Sequence, residues 1–126
     1  MITQNSPMPS GELQELKDGE MITHNTDLLF ADKKVVLFAV PGAFTPTCSV
    51  SHLPGFVVSA DELKAKGVDA IICLSVNDAF VMAAWGKSQN AEHLMMLADG
   101  DGSYTKALGL TMDTATFGGV RSQRYS

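Results

Sequence analysis

Cys48 stands in the stretch VPGAFTPTCSVSHLPGF (Val40 to Phe56), which holds three prolines and two threonines and follows the apolar run VVLFAV. Pro46 suits the first position of a helix, because the amide it lacks would have been unpaired there anyway; Cys48 then falls in the helix's first turn. At that end the unpaired backbone N–H groups and the positive pole of the dipole favour an anion. For a cysteine the anion is the thiolate, its nucleophilic form. Dithiol chemistry within the motif would need a second cysteine three residues away, and those positions are Thr45 and Ser51. The Thr45 hydroxyl is placed instead to hydrogen-bond an oxygen of a small substrate held against the sulfur. The plainer reading of Cys48, a buried inert thiol, fits poorly with a strand-to-helix corner flanked by hydroxyls. His52, four residues on, could face the same side as a base, but packing or hydrogen bonding is its more ordinary role.

The rest of the chain offers little competing chemistry. Cys73 lies inside the apolar run AIICLSV and reads as a buried, unreactive thiol. DGDGSY resembles a calcium loop only superficially, since Tyr104 and Leu110 occupy the positions where an EF-hand needs glycine and glutamate. Three dispersed histidines and no paired cysteines make no zinc site, so neither metal nor cofactor is expected. A net charge of -5 disfavours a nucleic-acid partner. The first twenty residues contain neither a basic leader nor an apolar core, and no run approaches the roughly 18 apolar residues of a membrane span. The expectation is a soluble, unexported, cytoplasmic protein with reduced thiols and no membrane partner.

These residues need a scaffold, and 126 residues at 45% hydrophobic composition suit one domain, residues 1–126. Apolar runs alternating with helical patterns indicate an α/β fold. KKVVLFAVP is apolar enough for a central strand covered on both faces. SVSHLPGFVVSADELKAKG has helical spacing in Phe56, Ser59, Ala60 and Leu63, ends at Gly67, and should be kinked by Pro54. VDAIICLSV reads as a second buried strand. A helix follows from the capping candidates Asn77 and Asp78, with Phe80, Ala83 and Ala84 on one side. EHLMMLAD gives a third strand, DGDGS a turn, SYTKALGL a short helix, and GGVRSQRYS the beginning of a strand. Trp85 and Phe80 read as core or dimer-contact residues, and Met82, Met95 and Met96 as packing. The first thirty residues are ambiguous.

PGAFTPTCS followed by HLPGF resembles the peroxiredoxins, and within them the peroxiredoxin-5 (type II, atypical) subfamily. The likeness continues in order through LKAKGVD, CLSVNDAFVMAAWGK, MLAD and RSQRYS. The resemblance implies a thioredoxin-like fold, a central mostly parallel sheet flanked by helices, and thiol-dependent reduction of hydrogen peroxide and alkyl hydroperoxides. By position it implies that Cys48 is the peroxidatic cysteine, Thr45 the hydroxyl orienting the peroxide, Pro41 the shield of the pocket, and Arg124 the active-site arginine. Arg121, offset by three residues, would point to the other face of a strand. Sulfur attack on one peroxide oxygen builds negative charge on the other, so a guanidinium and a hydroxyl aimed there stabilise the transition state.

The family's pattern continues beyond the Arg-Tyr block with a further strand and helix, which are expected to be missing here, and many members carry a resolving cysteine in that tail. An apolar surface and a sheet edge would then be left uncovered, and Cys73 is the remaining candidate second thiol. One-cysteine cycling is therefore expected, with glutathione, glutaredoxin or thioredoxin as reductant, in a homodimer of the family's kind. Two other readings compete: a non-enzymatic thiol redox sensor or interaction module, and a general disulfide reductase.

Overall fold

In the computed structural model, which describes residues 1–126, Asp18 (φ 52°) and Gly19 (φ 81°) turn the chain back on itself and join β1 (Glu12–Lys17) to β2 (Glu20–Asn25). Two successive positive φ angles make the tight turn whose twist matches an antiparallel hairpin. The Asn25 side chain accepts from the Asp27 amide and starts α1 (Thr26–Phe30). The parallel strands β3 (Val35–Ala39), β4 (Ala70–Ser75) and β5 (Met95–Ala98) follow, separated by α2 (Leu53–Ala65) and α3 (Ala79–Ser88). After α4 (Ser103–Leu108), β6 (Thr111–Asp113) and β7 (Val120–Ser122) form a small antiparallel ribbon.

The main sheet has the order β2-β1-β5-β4-β3 and is mixed, because β1 runs antiparallel to β5 and β2. Side chains alternate across it with period two. Phe38, Ile71, Cys73, Met96 and Ala98 join a core under α2 and α3, whereas Ala39, Ile72, Leu74 and Leu97 join one under α1 and α4. Both faces of β3, β4 and β5 are covered, so these three strands read as continuous apolar runs. The same logic misplaces β3: expected at the centre, it lies at the sheet edge, with only an antiparallel bridge between Ala39 and Tyr125 on its outer side. Coverage of both faces makes a strand apolar whatever its rank in the sheet. Beside that edge lies an apolar recess of about 630 Å³ whose walls include Val36, Leu37, Phe56, Leu110 and Tyr125.

Two helices depart from their expected form. In α3 the buried face is Ala79, Met82, Trp85 and Gly86, while Phe80 is 63% exposed. Asp78 caps this helix by accepting from the Val81 amide at 2.8 Å, so the phase counts from Ala79, one residue before Phe80. Pro54 sits in the first turn of α2 and does not break it. Its missing N–H cannot serve Val50, and the irregularity falls just upstream, where Cys48–His52 form a π-turn closed by a bond from Leu53 N–H to Cys48 O. No helix is long and apolar enough to cross a membrane.

Candidate active site

The chain leaves β3 at Val40 and enters a loop held by side chains at both ends. Ala43 N–H donates to Asn77 Oδ1 (3.0 Å), and Ser75 Oγ lies 2.7 Å from the same oxygen, which ties the loop to the end of β4. Phe44 adopts φ 64°, a left-handed conformation that a bulky residue rarely takes. Thr45 closes the turn twice on Gly42 O, through its amide at 3.3 Å and its hydroxyl at 2.6 Å. A Cβ on Gly42 would come within 3.0 Å of Thr45 Cγ2, so the close approach suits glycine. Helical backbone begins at Pro46, as its pre-set φ favours.

Cys48 therefore lies in the first helical turn, 1% exposed, and belongs to the core under α2 and α3. Arg124, 76 residues later and beyond the end of β7, donates from Nη2 to Cys48 Sγ at 3.2 Å. Its Nη1 donates to His52 Nδ1 at 2.9 Å. A guanidinium has no acceptor, so Nδ1 must be the unprotonated nitrogen and His52 is neutral with its proton on Nε2. Burial, and then the charge of Arg124, lower the His52 pKa, in agreement with that tautomer. The imidazole is wedged edge-on against Phe38 (5.1 Å) and Phe56 (5.7 Å), whose rings stack on each other at 4.0 Å.

The four residues singled out in the sequence have distinct placements. Cys48 and Arg124 are in direct contact. Thr45 lies one turn before Cys48, and its backbone oxygen accepts from the Ser49 amide (2.9 Å). Pro41 is half-buried at the exit of β3. Arg121 is directed elsewhere, donating to Gly118 O and Val76 O. His52 takes the hydrogen-bonding and packing role expected of it rather than that of a base: its Nδ1 is the acceptor that steers Arg124. Only its helical offset from Cys48 hinted at this. Cys73, one strand away in β4, is fully buried, and burial followed by the neighbouring Cys48 charge pushes its pKa far up. The two sulfurs are unbonded. No group of three or more histidines, cysteines or carboxylates is arranged to hold a metal.

Comparison with known proteins fits this geometry. Residues 3–126 match the model of the Redoxin family. Peroxiredoxin-2D of Arabidopsis thaliana is 50% identical over 128 residues, which cover 99% of this chain and 79% of the relative. The crystal structure of reduced Prx3 from Vibrio vulnificus in complex with hydrogen peroxide superposes with a TM-score of 0.96 at 65% identity, covering 98% of this chain and 78% of that one. Peroxiredoxin 5 from Alvinella pompejana gives 0.87 at 36% identity, covering 98% and 80%. The fold is thioredoxin-like, and the chain belongs to the type II peroxiredoxins of the Redoxin family, which are thiol peroxidases.

Proposed function

We propose that Cys48 is the peroxidatic cysteine of this thiol peroxidase, with Arg124, Thr45 and Pro41 forming its peroxide pocket. The observation that carries the assignment is the contact of the Arg124 guanidinium with Cys48 Sγ at 3.2 Å. The Cys48 thiolate attacks one peroxide oxygen: an S–O bond forms, the O–O bond breaks, the sulfur is oxidised to a sulfenic acid, and the second oxygen leaves as hydroxide and takes a proton to become water. For an alkyl hydroperoxide the leaving group is an alkoxide, released as the alcohol. Arg124 supplies fixed positive charge where that oxygen becomes negative. Thr45 has spent its one hydroxyl proton on Gly42 O, so towards the substrate it acts as an acceptor for the peroxide O–H. Pro41 walls the pocket and donates nothing. A structural neighbour was solved with hydrogen peroxide bound in its reduced form, which supports that substrate here.

An external thiol completes the cycle in this reading. It attacks the sulfenic sulfur and releases the hydroxyl as water; a second thiol then resolves the mixed disulfide and frees Cys48. Glutathione, glutaredoxin or thioredoxin has the required chemistry. The buried Cys73, with its pKa pushed up, is a poor nucleophile for this step. Oxidation with one equivalent of peroxide, followed by intact mass analysis under denaturing, thiol-blocking conditions, tests the cycle. A sulfenic adduct on Cys48 with Cys73 still alkylatable is expected; a monomer lighter by two hydrogens with neither cysteine alkylatable would overturn it. A homodimer belongs to the same proposal, supported by the exposed Phe44, Phe80, Phe117 and Val120.

A further inference from the structure

Trp85 is fully buried in α3, and its indole N–H, which can only donate, points at Ser49 Oγ at 3.0 Å. Ser49 immediately follows Cys48, and its amide donates to Thr45 O at 2.9 Å. One residue is thus tied by its backbone to the loop that carries Thr45 and by its side chain to the core. The segment needs such a tie. It is bounded by two prolines, Pro46 and Pro54, and contains a π-turn in which Leu53 N–H reaches back five residues to Cys48 O. Val50, on its outer side, is 76% exposed. From the inner side the turn is held by the buried Leu53 and by the bond from Trp85. The Phe44 ring lies 6.5 Å from the Trp85 ring, so the same indole also backs the strained loop ahead of Thr45.

We infer that Ser49 is a positioning residue for the peroxide reaction: the bond from Trp85 to Ser49 latches the π-turn so that Cys48 Sγ stays against Arg124. The inference rests on Cys48 being the attacking sulfur, but the latch is read out independently of any activity. Without it, the turn opens locally while the sheet stays intact, because the remaining contacts of α3 do not pass through Ser49.

Hydrogen–deuterium exchange of residues 45–53, together with the second-order rate of oxidation by hydrogen peroxide, tests the latch in Ser49→Ala, Ser49→Thr and Trp85→Phe. In Ser49→Ala, exchange of 45–53 should accelerate about tenfold, with β4 unchanged, and the peroxide rate should fall about tenfold, the range for one lost bond to a buried donor. Ser49→Thr keeps the oxygen and should stay within about threefold of wild type in both readouts. Trp85→Phe should match Ser49→Ala, and the double variant should be no worse than either single one. Unchanged exchange at 45–53 in Ser49→Ala, acceleration spread evenly over the chain, or local opening without loss of peroxide rate would each overturn the latch. If Trp85→Phe does not fold, the Ser49 pair decides alone. Loss of peroxide reactivity on replacing Cys48 belongs to the assignment of the sulfur and leaves the exchange result standing.

Discussion

Arg124 is an exposed residue whose guanidinium is nevertheless fixed on two sides, by Cys48 Sγ and by His52 Nδ1. Fixed orientation matters because a donor that needs no reorganisation stabilises the transition state more than a mobile one. Arg124→Ala should lower kcat/KM for hydrogen peroxide by about 2–4 kcal/mol, or roughly 30- to 1000-fold. Stopped-flow oxidation rates check this, and a change within about threefold would contradict the assigned role. His52 gives the site a pH dependence of its own. Its native pKa is lowered by burial and by Arg124, so as pH falls the unfolded chain takes up the proton before the native one does. The neutral ring contributes its full stability above about pH 6.5, and that contribution is lost as pH drops towards the lower native value. Thermal melts at pH 7 and pH 5 should therefore differ more in the wild type than in His52→Asn; equal differences would count against the contact. Cys48 and Thr45 were legible because they lie three residues apart in one motif. The partnership of Arg124 with His52 was not, because it joins positions 72 residues apart that meet only in the fold.

The elements carry the site through their ends. Asp99, just after β5, is 2% exposed, and its carboxylate accepts from Tyr104 N, Thr105 N and Thr105 Oγ1, which starts α4 without a side-chain cap from Gly102. A buried carboxylate is tolerated there only because its oxygens are occupied. Asp99→Ala should lower the unfolding free energy by about 2 kcal/mol or more, since it strands buried donors, while Asp101→Ala, at an exposed position, should destabilise far less. Urea unfolding of the two variants checks the contrast. The continuous apolar run located β4 and the Asp78 cap located the start of α3, but α3 is too evenly apolar for its pattern to give the phase, and the face expected to carry Phe80 is not the buried one. The β1–β2 hairpin was missed: ELQELK and EMITHN carry a weak alternation, and the decisive signal was the Asp18–Gly19 pair that permits two positive φ angles. The π-turn was hidden as well, since Pro54 announces a disturbance in the helix but not the residue that absorbs it.

At the scale of the whole molecule, the sheet order explains why sequence rank is a poor guide to position. The third strand in sequence ends at the edge and delivers the loop of Thr45 and Cys48, and the chain returns with Arg124 and Tyr125 alongside it only at its far end. Nothing local encodes that return. Phe80 projects from the outer face of α3, while Phe44, Phe117 and Val120 are exposed on the loop of Thr45 and on the β6–β7 ribbon, whose Arg121 reaches Val76 O. Sedimentation equilibrium is expected to show a concentration-dependent dimer, with Phe80→Glu shifting it towards monomer; a monomer independent of concentration would contradict the interface. The central claim is that one sulfur performs the oxidation. Peroxide consumption with a thiol donor should be abolished in Cys48→Ser and retained within about threefold in Cys73→Ser, because only the first sulfur lies against the guanidinium. Sustained turnover in Cys48→Ser, or its loss in a folded Cys73→Ser, would contradict the account.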